Sequence, residues 1–294
     1  MGCAAAITIR HMSLTPPPPS APTEPAKGSG GKLVTSAWRA LRSDHELISL
    51  PVVGGIAALA GIAPLLLVAL LVPESAAWAA VVLFVLIAFV ASIITTFFAV
   101  ALAAGAHERM NGGNPTVRSA CAVAWKRKRG VITWALLSTT VGLVLRALED
   151  KLGGVAGKLV GVLGGVAWTV ASYFAIPIIA ANDVGAIEAL KLSSATVRQR
   201  WRNAARVELH LALYALGLIA VGVVAALAVV ALASVATVLA IVVGVVLLLA
   251  FLVALLVFSA VSAYAKVALY RYASGMPTPG FADATLAGAV TQKP

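Results

Sequence analysis

"ATVLAIVVGVVLLLAFLVALLVFSAVSAYA", residues 236–265, contains no Asp, Glu, Lys, Arg or His. A helix needs about 20 mostly apolar residues to cross roughly 30 Å of hydrocarbon, and this run exceeds that length. Strict apolar–polar alternation is absent, and a barrel strand would be about half as long, so the run reads as a spanning helix. Working back along the chain, comparable runs occupy residues 50–72, 76–104, 131–145, 159–181 and 211–233. The run at 131–145 is the shortest and is expected to continue past Arg146, whose long stem can carry its charge to the interface. Six spans follow.

Composition agrees. The chain is 61% hydrophobic and 11% charged, with a mean hydropathy of +0.99. Soluble domains carry roughly 45–50% apolar and about 25% charged residues, and a soluble chain this apolar could not cover its surface. Cys3 and Cys121 are isolated and offer neither a zinc spacing nor a disulfide framework. The stretch "SLTPPPPSAPTEPAKGSGG" near the start reads as a disordered tail. No signal peptide fits, because "AAAITI" is too short, and "MGCAAA" lacks the Ser or Thr of a myristoylation pattern at Ala6. Met1 and Met12 are both candidate starts.

Lys and Arg set orientation. With six spans, all 22 Lys and Arg fall on one side except Arg146, Lys151 and Lys158. That side is expected to be cytoplasmic and to hold both termini. The net charge of +11 is then mainly a topology signal, and nucleic acid is not an expected partner.

Three Trp-bearing basic stretches lie on that side, each before an apolar run: "SAWRALRSDHE" (36–46), "SACAVAWKRKRG" (119–130) and "SATVRQRWRN" (194–203). Apolar residues recur at helical spacing in each: Val34, Ala37, Trp38 and Leu41; Val117, Ala120, Cys121 and Ala124; Ile187, Leu190, Val197 and Trp201, with Ser194 as a polar member. This is the pattern of a helix lying in the interface, apolar side down and basic side at the headgroups. Ser43 to Glu46 reads as a capping box, Asn114 as an N-cap before Pro115, and Asp183 as the cap of the third stretch. The unit of basic helix, span, short outer turn and span thus occurs three times. Ser36, Ser119 and Ser194 mark its register. Headgroup contacts of about 1 kcal/mol per basic residue favour anionic phospholipid as the partner. The candidate lipid-contacting residues are Arg39, Arg42, Lys126, Arg127, Lys128, Arg129, Arg198, Arg200 and Arg202.

Gly153, Gly157, Gly161 and Gly165 recur every four residues, with Gly154 and Gly164 alongside. Such a face lets a neighbouring helix approach closely. Pro64 and Pro177 are expected to kink their spans. Thr95–Thr96 and Ser138–Thr139–Thr140 can bond across helices or back to their own backbones.

No ionisable residue sits at a midplane, where it would mark a functional site. His45, His107 and His210 each have a Glu within two residues, but no HxxxH or HExxH spacing joins them, and solvated interfacial pairs are the expected state. GxSxG, Walker A and dinucleotide fingerprints are absent. The expectation is no enzyme activity, no cofactor and no metal.

Four stretches, "SAWRALRSDHELISLPVVGG" (36–55), "NGGNPTVRSA" (111–120), "WALLSTTVGLVLRALEDKLG" (134–153) and "SYFAIPIIAANDVGAIEALKLSSATVRQRW" (172–201), resemble an uncharacterised bacterial family of six-span membrane proteins. The resemblance covers about residues 33 to 275. It brings no active site. The layout is also similar to the membrane domain of some glycerophosphodiester phosphodiesterases, without their catalytic domain.

The expected protein is all-α, a polytopic helical membrane protein with six transmembrane helices in three hairpins, each preceded by a cytoplasmic basic amphipathic helix. Residues 1–32 form a tail, 33–275 the membrane domain and 276–294 a flexible C-terminal tail. The expected role is that of a non-enzymatic protein of the bacterial inner membrane, lipid-interacting or a scaffold. The alternative is a small permease or transporter component, with a polar cavity at the Pro177 break or between the Thr and Ser clusters. A protein partner or a homo-oligomer is left open.

Overall fold

The computed structural model describes residues 29–42, 45–200, 204–233, 236–282 and 286. Among them every regular element is a helix: α1 (Ser29–Arg42), α2 (His45–Leu70), α3 (Ala77–Met110), α4 (Val117–Lys126), α5 (Lys128–Leu152), α6 (Gly154–Ala171), α7 (Ala175–Ala181), α8 (Ala186–Arg200), α9 (Ala204–Ala233) and α10 (Thr237–Ala273). Most of the expected N-terminal tail lies outside the described residues.

Six segments are long and apolar enough to cross a membrane: Glu46–Leu70, Ala77–Met110, Lys128–Leu152, Gly154–Ala181, Tyr214–Leu232 and Thr237–Ala273. They fit a multi-pass membrane protein. The third does run past Arg146, which is exposed. Consecutive long helices lie against each other, α2 on α3, α5 on α6 and α9 on α10. The α5–α6 connection is tight because Gly153 and Gly154 take positive φ, 60° and 51°, which side chains with a Cβ rarely adopt.

Pro177 does more than kink the fourth segment, which breaks into α6 and α7 across Ser172–Phe174. Pro177 thereby falls in the first turn of α7, where a missing N–H costs nothing. The Phe174 N–H freed by the break donates to the buried Ser193 hydroxyl on α8 at 3.0 Å. Pro51 and Pro64 both lie inside α2.

Three shorter helices, α1, α4 and α8, lie against the long ones. Their buried faces differ in detail from the expected stripes. In α1, Leu33, Ala37 and Leu41 are buried while Trp38 is exposed. In α4, Ala120 and Ala124 are buried. In α8, the stripe is Ala186, Ala189, Ser193 and Val197, and Ile187 points outward, so the expected face is rotated by one residue. Trp201 lies outside the described residues.

The helix starts also differ. Thr116, not Asn114, caps α4, and forms a reciprocal capping box with Ser119. Asp183 does not cap α8. It pairs with Arg127 at 3.5 Å, and the Ala186 N–H at the start of α8 donates to Thr133 Oγ1 on α5 at 3.1 Å. Ser43 is outside the described residues. Glu46 reaches the start of α4, where its Oε2 accepts from the Val117 N–H at 3.1 Å.

The buried core gathers at one end of the bundle. It joins α1, the start of α2, the last third of α3, α4, α7, α8 and residues 260–273 of α10. Away from that end the long helices are open, with Leu70, Leu71 and Val155 more than 80% exposed. A belt of exposed Leu, Val and Ile of this extent needs lipid around it. The core also runs past residue 275. Phe281 is buried and stacks on Tyr264, and Leu286 is fully buried.

Candidate functional site

At the inner margin of the dense end, α3, α7, α9 and α10 surround a partly open cavity of about 400 Å³. Ala99 and Ala103 form the α3 wall, Ile176 and Pro177 the α7 wall, and Ala215 the α9 wall. Phe258, Ser262, Ala263 and Lys266 contribute from α10. Small side chains on α3 and α10 leave the space open where larger ones would fill it. Its volume falls in the range of about 300–1,000 Å³ usual for ligand pockets.

Two polar features stand on these apolar walls. Lys266 Nζ lies 4.9 Å from the centroid of the Tyr173 ring, a cation–π arrangement. Among the described residues it has no carboxylate partner. One turn deeper, the Ser262 hydroxyl is buried without a hydrogen-bond partner among the described residues, whereas Ser259 bonds back to the Leu256 carbonyl at 2.8 Å. A buried hydroxyl left unpaired costs free energy, so Ser262 is a spare polar group on the cavity wall.

Beneath the cavity, Arg271 closes the end of the bundle. It is 2% exposed. Its Nη2 donates to Asn111 Oδ1 at 2.8 Å and its Nε to the Pro277 carbonyl at 3.0 Å. Nη1 lies 3.4 Å from both His107 Nδ1 and the His107 carbonyl oxygen. The His107 ring meets Tyr270 edge-on, and Tyr270 Oη in turn accepts from Asn182 Nδ2 at 3.3 Å. One arginine thus ties the end of α3, the end of α10 and the following turn.

The sequence-predicted basic residues scatter around this end. Arg39 and Arg42 on α1, Lys126 on α4, Lys128 and Arg129 on α5, and Arg198 on α8 are exposed. Lys128 Nζ lies 5.6 Å from the Trp125 ring centroid. Arg127 differs, being half-buried and paired with Asp183. The side chain of Arg200 and all of Arg202 lie outside the described residues. The glycine series does not form one face. Gly153 is the turn, Gly157 and Gly161 lie against Glu149 of α5, Gly164 lies against Leu145, and Gly165 has open space beside it. The four-residue spacing drifts around a 3.6-residue turn, so Gly164 replaces Gly165 on the contact face.

The model of the family of unknown function DUF6159 matches residues 75–280. The chain belongs to that family. No curated protein and no solved structure matches the chain. The DUF6159 stretch starts at Ser75, later than the resemblance at 33–275 implied. It leaves out α1 and α2 and takes in α3 to α10, with every wall of the cavity.

Within that stretch, the polar clusters read from the sequence bond locally. Thr95 Oγ1 donates to the Ala91 carbonyl and Ser138 Oγ to the Trp134 carbonyl. The bond between helices comes from Ser92, whose Oγ donates to the Ala135 carbonyl at 3.2 Å. His107 does not form a pair with Glu108, which accepts from Ser119 instead. Among the described residues no group of three His, Cys, Asp or Glu comes together; the side chains of His45 and His210 lie outside them. Sequence reasoning missed Lys266 and Arg271 as site residues. Their one signal was visible: both interrupt the end of the longest apolar run without an acidic neighbour.

Proposed function

We propose that the protein is a non-enzymatic integral protein of a bacterial inner membrane whose working surface is its interaction with anionic phospholipid at the cytoplasmic face. Both termini and helices α1, α4 and α8 lie on that face, and three helical hairpins, α2–α3, α5–α6/α7 and α9–α10, cross the bilayer. The observation that carries this reading is the coincidence of two gradients: the exposed basic residues Arg39, Arg42, Lys126, Lys128, Arg129 and Arg198 ring the same end that holds the buried core. A basic rim on an end supported by tight contacts presents a rigid array of cations to headgroups, each contributing about 1 kcal/mol.

The test is native mass spectrometry of the protein in mild detergent, with phosphatidylglycerol and phosphatidylcholine offered in equal amounts. Replacing Lys126, Lys128 and Arg129 together by Gln, and leaving the Asp183-paired Arg127 in place, should cut retained phosphatidylglycerol. Unchanged retention would remove the reading. Cysteine-accessibility labelling from each side checks the orientation.

The permease alternative has one observation in its favour, the discontinuous segment α6–α7 at Pro177, since transporters use broken helices at their sites. The walls of the adjoining cavity are nevertheless mostly apolar, which suits an acyl chain better than a hydrophilic solute. A lipid surface is therefore the preferred reading.

A further inference from the structure

We propose that the cavity between α3, α7, α9 and α10 is a specific site for one anionic phospholipid, with the phosphate at Lys266 and an acyl chain against Phe258 and Ala99. The proposal rests on the lipid-interacting reading above and adds to the basic rim a distinct, internal site.

Chemistry selects the occupant. The walls are mostly apolar, so water finds few partners over most of this space. A free phosphate would use Lys266 and gain nothing from Phe258, Ala99 or Ala103. A hydrocarbon would use those walls and leave Lys266 and the Ser262 hydroxyl without a partner. An anionic amphiphile uses both. Lys266 stands seven residues before the end of α10, about 10 Å along the axis, which puts its ammonium within reach of the headgroup level. Deeper along the same helix come Ser262, then Ser259, whose hydroxyl is taken up by the Leu256 carbonyl, and Phe258, so the free polar groups give out in the direction an acyl chain runs. The Tyr173 ring holds the ammonium without neutralising it. The small residues are as necessary as the cation, because a Leu at Ala99 or Ala263 would occupy the space itself.

The experiment compares four variants with the wild-type chain in mild detergent by native mass spectrometry, titrating phosphatidylglycerol or phosphatidylcholine. Ala263→Leu and Ala99→Leu fill the cavity from two different helices. Lys266→Gln removes the cation. The Lys126, Lys128 and Arg129 triple Gln variant removes only surface charge. Thermal unfolding of each confirms a folded chain, and either filling variant suffices if the other fails to fold. The expected result is one tightly held phosphatidylglycerol on the wild type and on the triple variant, which loses only the additional, weakly held lipids of the basic rim. It should be lost from the filling variants and weakened about tenfold by Lys266→Gln, the scale of one charge-assisted contact. Retention of that lipid by the folded filling variants overturns the site. If the triple variant alone sheds the tightly held lipid, the cavity proposal fails while the surface reading stands. If the wild type holds no phospholipid at all, both fail. Equal retention of phosphatidylcholine overturns the role given to Lys266.

Discussion

The Arg271 guanidinium on α10 is hydrogen-bonded at 2.8 Å to the Asn111 side-chain oxygen just beyond α3, 160 positions earlier in the chain. The arginine is buried, and the acceptors around it, Asn111, the Pro277 carbonyl and His107, are neutral. Asn111→Ala deprives a buried cation of its shortest bond and is expected to destabilise by about 1.5–3 kcal/mol. Asn111→Asp keeps the acceptor and supplies an opposite charge, so it should hold or gain stability. Thermal unfolding in detergent reads both. An unchanged midpoint for Asn111→Ala would mean that the contact does not hold the two helix ends together.

Glu46 makes a second long-range cap. Its carboxylate accepts from the Val117 N–H in the first turn of α4 and sits where the helix dipole favours negative charge. Glu46→Ala leaves that N–H without its partner and should cost about 0.5–2 kcal/mol, the usual scale of a lost N-cap. Hydrogen exchange at the Val117 amide should quicken in the variant, while the rest of α4, closed by Thr116 and Ser119, should change less. Equal exchange in both proteins would show that Thr116 caps α4 alone.

Two glycines separate a close approach from an open surface. A Cβ on Gly130 would lie 2.6 Å from the Val184 carbonyl oxygen and 2.9 Å from Ile179, and the first of these neighbours is backbone. Gly130→Ala is therefore expected to destabilise by about 1–3 kcal/mol through overpacking. At Gly165 the same methyl meets nothing within 4 Å. There the substitution should raise stability by up to about 1 kcal/mol through helix propensity. A matched pair of melting curves decides it, and the same sign for both would refute the distinction.

The six spans were legible because a span is a property of composition: residues 236–265 need no partner to declare themselves apolar, and lipid accepts that surface as it stands. The caps were not. Asn114 and Thr116 are equally good cap residues in the sequence, and the choice of Thr116 depends on Ser119 reaching back and on Glu46 arriving from another helix. Asp183 had the right type and place to cap α8, yet Arg127 took it and Thr133 supplied the acceptor. The cavity was legible only as a break at Pro177. Its other walls come from α3, α9 and α10, which no local pattern brings together. Of the glycine series, Gly157 and Gly161 lie against α5 and Gly165 does not, because an exact spacing of four drifts around a 3.6-residue turn and Gly164 takes the contact instead.

Cys121 on α4 is half-buried, and burial pushes its thiol up from its ordinary value. The thiolate is the reactive form, so alkylation at a given pH should be slow in the folded protein. With Cys3 replaced by Ser, iodoacetamide labelling should accelerate when the chain is unfolded in dodecyl sulfate. It should also rise with pH beyond the point at which an exposed thiol levels off. Rapid labelling of the folded protein at neutral pH would place Cys121 in an open, electropositive setting instead.

The last prediction concerns the break itself. Ser193 on α8 is fully buried, and its hydroxyl accepts from the Phe174 N–H that begins α7. No water reaches that donor, so Ser193→Ala leaves a buried N–H without its hydroxyl acceptor and should cost about 1–3 kcal/mol. Ser193→Thr retains the oxygen but adds a methyl to a site with no exposed surface, and is expected to recover only part of the loss. Because Ile176 and Pro177 of α7 form one wall of the cavity, loosening the start of α7 should also weaken phosphatidylglycerol retention, though Ser193 does not itself line the site. A variant that melts earlier yet binds lipid as tightly as the wild type would show that the α6–α7 break is structural and plays no part in shaping the cavity.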